Sequence, residues 1–323
     1  MATIKEISQL ANVSITTVSR VLNRDESIAV TPEVRNRIFT IAHELHYVPP
    51  RLRHTSNERR LTIGVADWHI IRSECENIKL SSLECLTKVF DFPGEIAFVR
   101  IKTNEGVQTP VDGIIAFGSF SEKELEFLRS LSYSIVFINS DARDYLFDRI
   151  NMDFEEGLRQ AVKFLLEKNY ESIGYIGGLY KSEGIEIGVH RRDCFAQLLE
   201  KAGKFDPKYF HVGELSKASG YQMMRQALED GTAARAILLG SDEMAEGALQ
   251  AIHERELRVP EDIAIVLYKD IETLQSAYPL YPTVRMYTDF VWEMALKLLL
   301  ERINGKRSEA VAMFVPARLE KGE

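Results

Sequence analysis

The chain has 323 residues and a formal net charge of −8, long enough for a small domain beside a larger one with its own core. It contains no run of about 18 apolar residues, which excludes a membrane-spanning helix. Its charged, amphipathic start is unlike a secretion signal, so a cytoplasmic protein is expected. Cys75, Cys85 and Cys194 show no CxxC spacing and read as free thiols, not as a disulfide or zinc framework.

Charge is divided unevenly. Residues 1–60 hold nine Lys and Arg against six Asp and Glu, a net of +3, and the remainder is at −11. A small basic head on an acidic body lets only the head approach phosphate.

Ile4, Ile7, Leu10 and Ala11 fall at helical spacing and predict a first helix, followed by a tight turn at Asn12-Val13. Ser14 supplies an N-cap for a second helix with Val18, Val21 and Leu22 on one face. The opposite face offers Thr16, Thr17, Ser19, Arg20 and Asn23, side chains suited to phosphates and base edges. Apolar spacing alone fits an ordinary helical hairpin equally well. Thr31-Pro32-Glu33 opens a third helix with Ile38, Ile41, Ala42 and Leu45 as its buried stripe, ended by His46-Tyr47-Val48-Pro49. His43-Glu44-Leu45-His46 is not HExxH and has no third ligand in view, so no metal is expected. Residues 49–61 form a linker in which Arg51, Arg53, Arg59 and Arg60 either meet phosphates or a narrow minor groove, or belong to a polar tether.

From Leu61 short apolar runs alternate with amphipathic stretches. Candidate strands are 61–66, 95–101, 113–117, 134–138, 172–176, 236–239 and 263–267, and candidate helices 121–131, 154–168, 191–202, 217–230, 243–255 and 289–304. This alternation predicts two parallel α/β layers with ligands bound where strand C-terminal ends open onto a crevice. No GxGxxG follows a strand and no GxxxxGK[ST] occurs, so a nucleotide or sugar enzyme is the distant alternative.

The string from Thr3 to Asn23 resembles the DNA-binding headpiece of the lactose-repressor (LacI/GalR) family. Thr3, Ile4, Glu6, Ile7, Ala11, Val13, Ser14, Thr17, Val18, Ser19, Arg20, Val21, Leu22 and Asn23 fit its pattern, and Ser8 replaces a family alanine. Ile173–Gly178, Ser219-Gly220-Tyr221, Ser241–Ala245, Leu257–Ile263 and Pro282–Arg285 recur in family order. Phe314–Leu319 is most similar to the galactose-operon and evolved-β-galactosidase repressor group. The resemblance implies an all-α helix-turn-helix headpiece (1–48), a hinge (49–60) and an α/β periplasmic-binding-protein-like body (61–323). The body is expected as two parallel-sheet subdomains with three crossovers, one at 61–150 and 281–310, the other at 151–280 and 311–323. It also implies a homodimeric repressor, without catalysis or cofactor, on a pseudo-palindromic double-stranded operator. A small sugar, first of all a galactoside, is the expected effector; a phosphosugar or nucleobase corepressor is the alternative.

Residues carry over position by position. The expected DNA contacts are Thr3, Ser14, Ile15, Thr16, Thr17, Ser19, Arg20, Asn23, Tyr47, Arg51 and Arg53, with Ile15, Thr16 and Arg20 reading bases and Arg20 favouring guanine. Tyr47 lies near the DNA backbone in the family, and also suits the closing of a three-helix core. The hinge departs from the family's Ala-x-x-Leu, with Arg53 at the alanine and Thr55 or Ser56 where leucine belongs. Expected effector residues are Asp67, Trp68, Asn139, Arg191, Leu215, Ser241 and Lys269. Arg191 offers a planar fork to vicinal hydroxyls. Trp68 either stacks on a sugar or fills the subdomain edge, and Leu215 replaces an aromatic of some relatives. Ser241 can bond a ligand hydroxyl, while Asp242 is expected to cap the following helix. Lys269 stands where the family has an acid or amide. It either pairs with Asp270 or another acid and leaves the crevice, or marks an anionic effector.

Overall fold

A computed structural model describes residues 3–23, 25, 27–45, 47, 60–67, 95–101, 111–140, 146–182, 185–269 and 281–322. Arg51, Arg53 and Trp68 lie outside these residues, as do His46 and the side chains of His43, Asp67 and Lys269.

The first three helices form as their caps dictate. The Thr3 hydroxyl accepts from Glu6 N–H, and the Glu6 carboxylate accepts from Thr3 N–H at 2.6 Å, a capping box that starts α1 (Ile4–Ala11). Asn12 takes φ 52° and turns the chain out of α1 in the left-handed conformation that asparagine tolerates. Ser14 then accepts from Thr17 N–H at 3.0 Å and starts α2 (Ile15–Leu22). Ile7, Ala11, Val18, Val21 and Leu22 are buried with Ile38, Phe39 and Ala42 of α3 (Pro32–Glu44).

The chain divides into two units and passes between them three times. The first holds residues 1–151 and 289–313, the second 152–288 and 314–323. In the first, β1 (Arg60–Asp67), β2 (Glu95–Arg100), β3 (Gly113–Phe117), β4 (Ile135–Ile138) and β5 (Asp148–Asp153) build a sheet in the order β5-β4-β3-β1-β2, all pairs parallel. All five residues of β3, Gly-Ile-Ile-Ala-Phe, are buried, as a central parallel strand requires. Helix α4 (Glu122–Leu131) starts with a capping box between Ser121 and Glu124 and buries Leu125 and Leu128.

The second unit contains α5 (Phe154–Glu167), β6 (Ile173–Ser182), β7 (Ile185–Ile187), α6 (Val189–Lys201), β8 (Phe210–Glu214), α7 (Lys217–Glu229), β9 (Ala236–Leu239), α8 (Asp242–Glu254), β10 (Ala264–Lys269) and β11 (Thr283–Arg285). Its sheet runs β11-β10-β9-β6, with β8 parallel to β6 on the other side. Helices α7 and α8 pack closely: a Cβ added at Gly220 would lie 2.8 Å from Met244 Cα. The chain returns to the first unit through α9 (Thr288–Ile303). It then adds β12 (Ala312–Pro316) beside β5 and β13 (Arg318–Glu320) antiparallel to β11.

All three boundaries differ from expectation, the first only by Asn151, which stays with the first unit. Residues 281–288 stay with the second unit, because β11 is hydrogen-bonded between β10 and β13. Residues 311–313 go with the first, where Val311 N–H donates to the Asp148 carboxylate at 2.7 Å and Val311 C=O accepts from Arg149 N–H at 2.9 Å.

Candidate functional site

Helix α2 presents two unlike faces. Val18, Val21 and Leu22 are buried, while Ser14, Ile15, Thr16 and Asn23 are exposed and Thr17, Ser19 and Arg20 lie between these limits. Ile15 is 46% exposed, a large apolar side chain held out at the first helical position. Several polar groups of this face are joined to one another. The Ser14 and Thr17 hydroxyls lie 2.8 Å apart, and Asn23 Nδ2 donates to Ser19 Oγ at 3.3 Å. Arg20 Nε donates to Asp25 Oδ2 at 2.6 Å, and Arg20 Nη2 donates to Ser27 Oγ. The Arg20 guanidinium and the Ser27 donors hold the Asp25 carboxyl well below the usual carboxylate range. Thr3 is exposed and engaged in the α1 cap. Asp25 and Ser27 were missed by sequence reading. The signal available was a carboxylate five residues beyond Arg20, where the chain has just left the helix.

Tyr47 is 8% exposed. With Ala42 it lines a cavity of about 400 Å³ together with Tyr133, Ser134, Arg302 and Arg307 of the first body unit. Phe39 of α3 meets Tyr133 with ring centroids 5.8 Å apart, and Asn36 Nδ2 donates to Glu126 C=O at 3.5 Å. Tyr47 therefore sits on the body-facing side of α3. Next to this cavity, Asp148 is fully buried between two guanidinium groups, Arg302 Nε at 3.2 Å and Arg307 Nη2 at 2.7 Å.

The expected effector residues gather at strand C-terminal ends within each unit. In the first, Asp67 ends β1 in register with Phe117, and Ile138, also in register with Phe117, precedes Asn139. Asn139 takes φ 50° and its N–H donates to Ile150 C=O at 2.9 Å.

In the second unit, Ser241 follows β9 and Lys269 ends β10. Arg191, in the first turn of α6, donates through Nη1 to Gly240 C=O, next to Ser241, and places its Cζ over the buried Tyr268 ring, 3.7 Å from its centroid. Cation–π contact of this kind holds the guanidinium in place. Tyr268 was not singled out from the sequence. Leu215 follows β8 and packs against the core, its Cα so close to Gly178 that no side chain fits there. One expected role moves by a residue. The cap of α8 is Ser241, whose Oγ accepts from Met244 N–H at 3.3 Å; Asp242 is the first helical residue. The Ser241 hydroxyl retains its own proton to donate.

Among the described residues, no group of three metal-ligating side chains occurs and no helix is long and apolar enough to cross a membrane.

Residues 3–50 match the model of bacterial regulatory proteins of the lacI family, and residues 162–323 match that of the periplasmic binding protein-like domain. The HTH-type transcriptional repressor MelR of Bacillus subtilis is 33% identical over 95% of this chain and 92% of its own length. The fold is similar to that of the transcriptional regulator CelR in complex with cellobiose, at 23% identity and a TM-score of 0.64 over 100% of this chain and 99% of that one. It is equally similar to the lac repressor dimer bound to operator and the anti-inducer ONPF, at 22% identity and a TM-score of 0.64 over 99% and 98%.

Proposed function

The chain belongs to the lacI family of bacterial regulatory proteins, and from that premise we propose that it is a sequence-specific DNA-binding repressor of a carbohydrate-utilisation operon. The observation that carries this reading is the capped hairpin of α1 and α2, which buries Val18, Val21 and Leu22 and holds Ile15, Thr16, Ser19, Arg20 and Asn23 outward. A row of that composition on a short helix suits the major groove. The chain acts in the cytoplasm as a homodimer on a pseudo-palindromic operator, with recognition helices about 34–36 Å apart. It has no catalytic role. Support for the dimer and the operator comes from the lac repressor complex, and for a sugar ligand from the cellobiose complex of CelR.

The effector is a small neutral sugar, in first place a galactoside. Arg191, Ser241 and Asn139 bond its hydroxyls, Asp67, Trp68 and Leu215 complete the binding residues, and Lys269 pairs with an acid and leaves the crevice. Tyr268 holds the Arg191 guanidinium by cation–π contact. The sugar acts by binding one conformation of the dimer more tightly than the other, and family analogy favours release of DNA.

The test is salt-controlled binding of the full chain to the DNA upstream of its own gene, with neutral and phosphorylated galactosides. Loss of binding with a neutral galactoside is expected, and Arg191→Ala should abolish the response while DNA binding persists. A response restricted to anionic sugars would make Lys269 the specificity residue and overturn the neutral effector. Turnover of any bound sugar would overturn the repressor without catalysis.

A further inference from the structure

We propose that Asp25 and Ser27 position Arg20 for base reading: together they clamp one edge of its guanidinium and leave the other edge to the DNA. The proposal rests on the reading of α2 as the DNA-contacting helix.

A guanidinium has two forked edges. The side-on edge, Nε with Nη2, is occupied here: Nε donates to Asp25 Oδ2 at 2.6 Å and Nη2 to Ser27 Oγ. The clamp is itself braced. Asp25 Oδ1 accepts from Ser27 N–H at 2.9 Å and from Ser27 Oγ–H at 2.6 Å, and Asp25 N–H donates to Arg20 C=O at 2.9 Å. Main chain and side chain of Arg20 are thus tied to the same residue. The end-on edge, Nη1 with the outer N–H of Nη2, has no partner among the described residues and matches the O6/N7 pair of guanine.

Stability is a poor reason for this arrangement. Both side chains are 38% exposed, and ion pairs so placed contribute little to folding. Two other consequences are specific to DNA. An arginine already fixed in plane loses less freedom when it docks. A carboxylate beside it repels phosphate, which weakens binding to arbitrary sequence and raises the ratio of specific to non-specific affinity. Asp25 is therefore a positioning residue that sets specificity at the base pair Arg20 reads.

The test is selection of the full chain on a randomised duplex library at fixed salt, comparing wild type with Arg20→Ala, Asp25→Ala and Asp25→Asn. Arg20→Ala should erase the guanine preference at one base pair per half-site, about tenfold in affinity. Asp25→Ala should erase the same preference and no other, while binding to a scrambled duplex is unchanged or tighter. Asp25→Asn keeps an oxygen for Nε–H and should retain part of it. If Asp25→Ala weakens every position alike, its role is structural and the proposal fails. It fails equally if Arg20→Ala flattens a position that Asp25→Ala leaves intact. A wild-type chain that selects no sequence would overturn the DNA-binding reading itself, and the proposal with it.

Discussion

The headpiece and the body use polar side chains in opposite ways. In the headpiece the partners are neighbours in sequence: Thr3 with Glu6, Ser14 with Thr17, Ser19 with Asn23, Arg20 with Asp25 and Ser27. In the body the decisive partners lie far apart along the chain. Asp148 is held by Arg302 and Arg307, and Arg191 bonds Gly240 and covers Tyr268. Local pairs shape a surface that meets a solvated ligand, and each contributes little to folding. Distant pairs tie together elements far apart in the chain, and at Asp148 their loss leaves charge uncompensated in a dry interior.

Three substitutions would sharpen or break this contrast. Asp148→Ala leaves two guanidinium groups facing a buried void, with the Arg302 side chain only 6% exposed. A loss of about 3–5 kcal/mol is expected, read from the urea midpoint of the full chain; a loss near zero would mean the pair is not as dry as its burial indicates. Gly220→Ala tests apolar packing between the same kinds of distant elements. Its Cβ would press on the backbone of Met244 where α7 and α8 meet, at an expected cost of about 1–3 kcal/mol in thermal unfolding. Ser14→Ala is the mildest. Removing the cap of α2 should lower headpiece stability by about 1 kcal/mol, and Ser14→Asp should restore it. Unchanged melting combined with DNA binding weakened alike on every sequence would instead make Ser14 a backbone contact.

The same contrast explains what could be read from the sequence. Caps and helical stripes are local, so α1, α2 and the Ser14 cap were legible, and strands such as Gly113–Phe117 and Ala236–Leu239, with continuous apolar runs, were legible to the residue. Strands β5 and β8 were not. Asp-Arg-Ile-Asn-Met-Asp and Phe-His-Val-Gly-Glu carry too few apolar residues to stand out, and they form because a neighbouring strand supplies the hydrogen bonds. Strand β11, three residues long, escaped notice for the same reason and displaced a domain boundary with it. At the expected effector positions, residue types at strand ends were legible, but the stacking of Arg191 on Tyr268 joins residues from α6 and β10 that no spacing rule connects.

The split of the first unit across the chain has a consequence for its biogenesis. Apart from the edge strand β12, its sheet is made from residues up to 153, yet α9 supplies Trp292, which stacks on Phe117 at 5.6 Å, and Leu299 and Ile303, which fill the space above Gly113. Roughly 140 residues of the second unit are synthesised in between, on the order of ten to thirty seconds of translation. Throughout that interval the nascent sheet carries an uncovered apolar face, and the second unit emerges beside it with its own core complete but for β13. The first part of the body to be made is thus the last to be closed, and a ribosome that stalls before residue 289 releases a chain whose exposed Phe117 side invites chaperone capture or aggregation.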